Sequence, residues 1–155
     1  KATLTIAGDG PQLPELQREA WQLGLSRQVF FVGFLNREDL RRLYEQSHFF
    51  LHPSAATSDN DIEGIPNSLL EAMATGLVCA STPHAGIPEA VRHGIDGLLI
   101  QPDDADGLAD ALVGVARDPA HYRALAASAV ARIRDEFSYD RQIDVLESIY
   151  AEALG

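Results

Sequence analysis

A single cysteine, Cys79, excludes an internal disulfide, and its place in the apolar run Leu77 to Ala80 makes it a small buried hydrophobe suited to a reducing cytosol. No run of 18 or more apolar residues is present, so no membrane-spanning helix is expected. The opening Lys1-Ala2-Thr3-Leu4-Thr5-Ile6 has the pattern of a strand and not of a signal peptide. Cations are scarce: 12 Lys and Arg stand against 23 Asp and Glu, a formal net charge of -11 that repels nucleic acid and anionic lipid. Any anionic ligand must therefore meet a locally positive site. Gly8-Asp9-Gly10-Pro11 lacks the third glycine of a dinucleotide fingerprint. The acids Asp59, Asp61 and Glu63 lack EF-hand spacing, so neither a metal nor a cofactor is expected. No nucleophile or metal site for hydrolysis of sugar phosphates or nucleotides is found.

What is present suits one globular unit over residues 1–155, with 46% hydrophobic residues and no internal repeat. Strands are expected at Ala2 to Ala7, Val29 to Val32, His48 to Pro53, Leu77 to Ser81 and Leu98 to Ile100. Helices alternate with them: roughly Leu13 to Leu23, closed by Gly24; one capped by Asn36 with Asp39 three residues on; and a short one opened by Pro88. Glu38 and Arg42 are spaced for an ion pair, and the Arg37, Arg41 and Arg42 cluster reads as a solvated face. From Asp106 onward the chain is helical and Ala-rich, with breaks near Asp118-Pro119 and Phe137-Ser138. Strand and helix alternating through short links predict an α/β fold with a Rossmann-like parallel sheet flanked by helices. His52 stands at a strand's carboxyl end, where ligands of such sheets gather, although a structural hydrogen-bonding role suits it equally.

The most informative segment runs from Glu63 to Gly76 and sets two carboxylates, Glu63 and Glu71, eight residues apart across a loop-to-helix junction. Pro66 suits a first helical turn and Gly76 the position just past the end, giving a helix from about Pro66 to Thr75. Leu69, Leu70 and Met73 can face a core while Asn67, Ser68 and Glu71 lie nearer the wet side. Free amides of the first turn and the positive end of the helix dipole favour an anion above residues 64–68. Glu71 could accept hydrogen bonds from ribose hydroxyls, and Glu63 from those of a hexose. On residue type alone, the favoured reading is that both acids merely complement the dipole and face water.

The pattern E-G-x-P-x-x-x-x-E-A-M-A-x-G is preceded by Pro53-Ser54 and followed by Ser81-Thr82 and Gly86-Ile87-Pro88-Glu89. With Gly8-Asp9-Gly10-Pro11, Leu23-Gly24-Leu25, Val29 to Gly33, Tyr44 and Gly94 to Leu99 in the same order, it resembles the C-terminal donor-binding domain of family 4 (group 1) glycosyltransferases. These are retaining enzymes of the two-domain GT-B type. Ser58 to Pro66 with Ser81 to Glu89 is similar to a subgroup that includes exopolysaccharide enzymes of the colanic acid type.

The resemblance implies a hexosyltransferase using a nucleoside diphosphate sugar, of UDP or GDP type, and a saccharide or lipid-linked acceptor. Glu63 would be the catalytic-site acid contacting the transferred sugar. Gly64, Ile65, Asn67 and Ser68 would offer amides to the diphosphate and Glu71 would hold the ribose. Gly8 and Gly10 would neighbour phosphates or base, and the backbone near Phe34 and Leu35 would touch the base. The family supplies an Arg and a Lys from the loop after the domain's first strand. This chain resembles the domain from its second strand onward, so that pair, and the acceptor-binding domain, are expected to lie before residue 1. Any membrane contact would come through that domain, placing the whole protein in the cytoplasm, at the inner face of a membrane. A nucleotide-sugar binding module without catalysis is the alternative. Base, hexose, acceptor, linkage and oligomeric state are not legible.

Overall fold

The structure is a computed structural model and describes residues 2–54 and 64–154. Chain packing gathers into two compact units, Lys1–Glu45 and Gln46–Gly155. The first contains β1 (Leu4–Ala7), α1 (Leu13–Gln22), β2 (Val29–Gly33) and most of α2 (Arg37–Gln46). β1 and β2 pair in parallel, Leu4 opposite Val29 through Ile6 opposite Phe31, with an irregularity between Ile6 and Ala7. Helix α1 has a proline in its first turn and stops at Gly24, whose φ of +71° a side chain would resist. Gly24 N–H then donates to the Trp21 carbonyl and Leu25 N–H to that of Ala20, covering the helix end. Helix α2 starts with the expected reciprocal cap. Asn36 Oδ1 accepts from Asp39 N–H at 2.9 Å, and Asn36 Nδ2 donates to the Asp39 carboxylate at 2.7 Å. Arg42 meets Glu38 at 3.7 Å and Asp39 at 3.1 Å on the exposed face, so the spacing argument holds there too.

The second unit carries β3 (Phe49–His52), α3 (Asn67–Ala74), β4 (Val78–Ser81), α4 (Ile87–Ala90) and β5 (Leu98–Leu99). Three longer helices follow, α5 (Ala105–Arg117), α6 (Pro119–Arg132) and α7 (Tyr139–Leu154), with a π-helical turn at Ile133–Phe137 between the last two. The sheet order is β3-β4-β5, all parallel, with β4 central and buried along its whole length. Val78, Ala80 and Leu98 from the sheet pack on Val115 of α5 and Leu125 of α6, and Phe49, Leu51 and Leu112 close the rim. Helix α6 begins where Pro119 forces it to, and Asp118 caps it by accepting from the N–H groups of Ala120 and His121 at 3.0 Å each. The architecture is thus α/β with parallel pairing throughout, divided into two sheets of two and three strands. Among the described residues no helix is long and apolar enough to cross a membrane.

Helix α3 is the element that the apolar spacing placed best. Leu69, Ala72 and Met73 are fully buried, one stripe at i, i+3 and i+4. Gly76, at φ +83°, turns the chain from the helix toward β4, and Leu77 N–H reaches back to the Ala72 carbonyl. One detail differs from the expected register. Pro66 is the cap and not the first helical residue: its ψ of 126° is extended, while its carbonyl accepts the first turn's N–H groups from Leu69 and Leu70. The fixed proline φ suits both positions, and only ψ separates them.

Two outcomes follow from this packing. Leu69→Ala is expected to lower unfolding free energy by about 2–5 kcal/mol in urea titrations, because the vacated volume lies among rigid neighbours; a loss below about 1 kcal/mol contradicts the burial. Burial pushes the Cys79 thiol from 9.0 up to about 12. The folded chain should therefore resist a thiol-specific disulfide reagent at pH 8 and react once unfolded. Because the folded-state value is raised, this stabilising contribution is complete below pH 9 and is lost as pH climbs toward 12.

Candidate functional site

In the second unit the carboxyl ends of β3 and β4 are laced together by two hydroxyls. Ser81 Oγ donates to the His52 carbonyl at 2.6 Å and Thr82 Oγ1 donates to the Ser54 carbonyl. Both are buried polar residues at the crevice end of a parallel sheet, and each is satisfied by backbone of the neighbouring strand's exit. After Thr82 the chain makes a tight loop. His84 N–H donates to the Thr82 carbonyl at 2.8 Å, and Ile87 N–H to the His84 carbonyl at 3.1 Å as α4 begins. Within it Ala85 holds φ +49°, a left-handed conformation that costs a residue with a Cβ on the order of 1 kcal/mol.

Gly86 follows with an ordinary φ of -78°, so backbone freedom is not why a glycine stands there. The reason is steric. A Cβ at Gly86 would lie 3.0 Å from the Gly64 carbonyl carbon, 3.0 Å from the Ile65 nitrogen and 3.1 Å from Ile65 Cγ1. The loop before α4 therefore rests directly on the turn that leads into α3.

That turn is where the sequence put the anion. Gly64 is exposed, Ile65 and Pro66 are half-buried, and α3 begins at Asn67. Among the described residues no backbone carbonyl accepts from the N–H groups of Gly64, Ile65 or Asn67. Pro66 brings no capping side chain, and no acid occupies the first turn. Helices α5 and α6 contrast with this: their first turns are closed by Asp104 and Asp118 carboxylates. A carboxylate cap would fill and neutralise the end of α3, and among the described residues none does, which keeps the partial positive charge of that end available. Asn67 and Glu71 are exposed, Ser68 is half-buried, and all three share the face opposite buried Leu69 and Met73. The second unit thus brings together Gly64, Ile65, Asn67, Ser68 and Glu71 along one turn and a half. Glu63, the predicted sugar contact, lies outside the described residues, as do Ser58 to Asp61.

In the first unit Gly8 and Gly10 line a cavity of about 330 Å³ between the end of β1 and the start of α1, walled by Ile6, Leu13 and Leu16. Gly8 has φ +124°, open only to glycine, and its N–H donates to the Gly33 carbonyl at 2.7 Å. That bond ties the first turn to the end of β2, two residues before half-buried Leu35, while Phe34 is 87% exposed. Asp9 accepts from Gly10 N–H at 2.8 Å and stiffens the turn.

One cluster went unread in the sequence. Asp96 is fully buried and accepts from Arg92 N–H and Arg92 Nε, each at 2.6 Å. Arg132, with a side chain only 10% exposed, brings Nε to 3.8 Å from the same carboxylate. Its guanidinium donates through Nε to the Ala90 carbonyl at 2.9 Å and through Nη2 to the Glu89 carbonyl at 2.6 Å. Glu136 and the Phe137 ring complete the surroundings of Arg132. Local spacing offered only the pairs Arg92 with Asp96 and Arg132 with Glu136, each four residues apart; the carbonyls that Arg132 holds, at Glu89 and Ala90, are more than forty residues away in the chain.

Residues 1–118 match the family described as glycosyl transferases group 1. The amylovoran biosynthesis glycosyltransferase AmsK of Erwinia amylovora is 34% identical over 149 residues, which is 94% of this chain and 37% of AmsK. WcaL of Escherichia coli (strain K12), named for colanic acid biosynthesis, is 38% identical over 107 residues, 69% of this chain and 26% of WcaL. Among solved structures, HepE from Anabaena in complex with UDP superimposes with a TM-score of 0.84 at 25% identity, over 97% of this chain and 41% of HepE. The same protein with UDP-glucose gives 0.83 at 26% identity, over 96% and 41%. The chain therefore spans about two fifths or less of these relatives' lengths. With its fold, one half of the GT-B arrangement, and a match over three quarters of its length, this chain belongs to the group 1 glycosyl transferases.

Proposed function

We propose that this chain is the donor-binding half of a retaining family 4 glycosyltransferase. The whole protein moves a hexose from a UDP or GDP sugar to a saccharide or lipid-linked acceptor held by another domain. The observation that carries this reading is the start of α3, where among the described residues no backbone carbonyl takes the N–H groups of Gly64, Ile65 and Asn67 and no acid stands in the first turn, in a chain that resembles HepE crystallised with UDP. Likeness to AmsK and WcaL supports an acceptor in polysaccharide biosynthesis.

In this reading the diphosphate sits above residues 64–68, receiving hydrogen bonds from the amides of Gly64, Ile65, Asn67 and Ser68. Pro66 shapes the turn and donates nothing. The Glu71 carboxylate accepts from the ribose hydroxyls and Glu63 from hydroxyls of the sugar. Gly8, Gly10 and Leu35 are the residues of the first unit assigned to donor binding in this reading. As the bond from the anomeric carbon to the diphosphate breaks, its electron pair stays on the leaving phosphate oxygen. Donors already fixed by the fold need no reorganisation to stabilise that charge. The acceptor oxygen bonds to the anomeric carbon on the same face, and its proton leaves with the diphosphate. Both carboxylates hold hydroxyls in place in this scheme. The net charge of -11 opposes a dianionic donor at long range, so attraction must be local, and these amides supply part of it.

Calorimetry on the full-length protein should show UDP or GDP binding. Glu71→Ala should weaken it on the order of 10–100-fold, the size of hydrogen bonds to a charged acceptor. Glu63→Ala should leave nucleotide affinity near wild type and slow sugar transfer. Residues 1–155 alone should bind weakly and transfer nothing. Absence of nucleotide binding by the full-length protein overturns the reading, whereas binding without transfer to any saccharide or lipid-linked acceptor favours a non-catalytic module.

A further inference from the structure

We infer that Arg132 is a positioning residue for the nucleotide-diphosphate turn, acting on it through α4 and Gly86. The inference rests on the donor-site reading of residues 64–68. Arg132 is the last residue of α6, and its guanidinium is the one group that grips the C-terminal end of α4 from another element among the described residues. It donates to the carbonyls of Glu89 and Ala90, the terminal carbonyls of a four-residue helix. Such a helix is too short to be stable by itself, so its direction is set by what holds its ends. A cation forked across the last two carbonyls is suited to that task in both hydrogen bonding and charge.

The other end of α4 is Gly86, and Gly86 is in backbone contact with Gly64 and Ile65. Helix α4 therefore joins Arg132 to the turn that leads into α3. The clamp is itself held. Asp96, fully buried, faces the Arg132 guanidinium at 3.8 Å and is fixed in place by Arg92. Glu136 takes Nη1 at 2.6 Å and the Phe137 ring lies 5.5 Å from the guanidinium carbon, so few other rotamers are open to the side chain. Helix α6 also touches the far end of α3, where a Cβ on Gly76 would sit 3.7 Å from Val130 Cγ2. One helix thus sets both ends of the framework around residues 64–76. The space between Gly86 and the Gly64-Ile65 backbone is too narrow for a Cβ, so a shift of α4 toward that turn would bear on Gly64 and Ile65.

Calorimetry of UDP and GDP against the full-length protein, at a temperature well below every variant's unfolding midpoint, tests this. Arg132→Met should raise the dissociation constant of whichever nucleotide the wild type binds by tenfold or more. Arg132→Lys, with one donor point in place of a fork, should fall between. Gly86→Ala leaves every Arg132 partner intact and should reproduce the defect. The double variant should bind no worse than the weaker single one, as expected of two changes on one route. A purely structural Arg132 would lower the unfolding midpoint while the folded protein bound nucleotide as the wild type does, and that result overturns the inference. So does wild-type affinity in Gly86→Ala, which is the informative variant if Arg132→Met fails to fold. If the wild type binds neither nucleotide, the donor reading fails and this inference falls with it; if the wild type and the variants bind alike, the donor reading stands alone.

Discussion

The contact between Gly86 and the Gly64-Ile65 backbone is the constraint on which the site depends. Two loops that leave adjacent strands of the parallel sheet can approach this closely only where one of them has no side chain. The approach fixes the turn into α3, and that turn decides which way the first amides of the helix face. Everything beneath serves this placement. Leu69, Ala72 and Met73 bury one side of α3, Gly76 redirects the chain into β4, and Ser81 and Thr82 lace the exits of β3 and β4. Hydrophobic burial sets the position of the helix; backbone sterics and hydrogen bonds set the orientation of its open end.

That open end also answers how so acidic a chain could hold an anion. A uniform charge of -11 would exclude a diphosphate if sites were governed by net charge. Potential close to a surface is governed by the nearest dipoles, and among the described residues neither a cap nor a first-turn acid cancels them at the start of α3. Elsewhere aspartates do occupy helix starts, at Asp104 and Asp118, so the chain uses acids freely where no ligand is proposed. The membership in the group 1 glycosyl transferases and the likeness to a UDP-bound structure agree with this local account.

Much of this was legible in the sequence wherever the governing interaction was local. The Asn36 and Asp39 cap, the Glu38 and Arg42 pair, the Leu69 and Met73 stripe and the break at Asp118-Pro119 each involve residues within about one turn of one another, so spacing alone reveals them. Pro66 was placed one position too far into the helix because its ring fixes φ and says nothing about ψ. The division into two sheets was hidden, since strand patterns identify strands and not their partners. Gly86 stood in a recognisable motif, but its reason is a contact across the fold that no spacing encodes. Arg132 carries no sequence signal for its main contacts, since only tertiary structure pairs it with carbonyls at Glu89 and Ala90.

The account comes down to whether amides at the head of α3 receive the phosphates of a nucleotide. Hydrogen–deuterium exchange of the full-length protein, with and without UDP or GDP, reads those amides directly. Slowed exchange confined in the second unit to the peptide spanning Gly64 to Leu70 is the predicted result. Unchanged exchange there under saturating nucleotide, with protection appearing elsewhere, would contradict it.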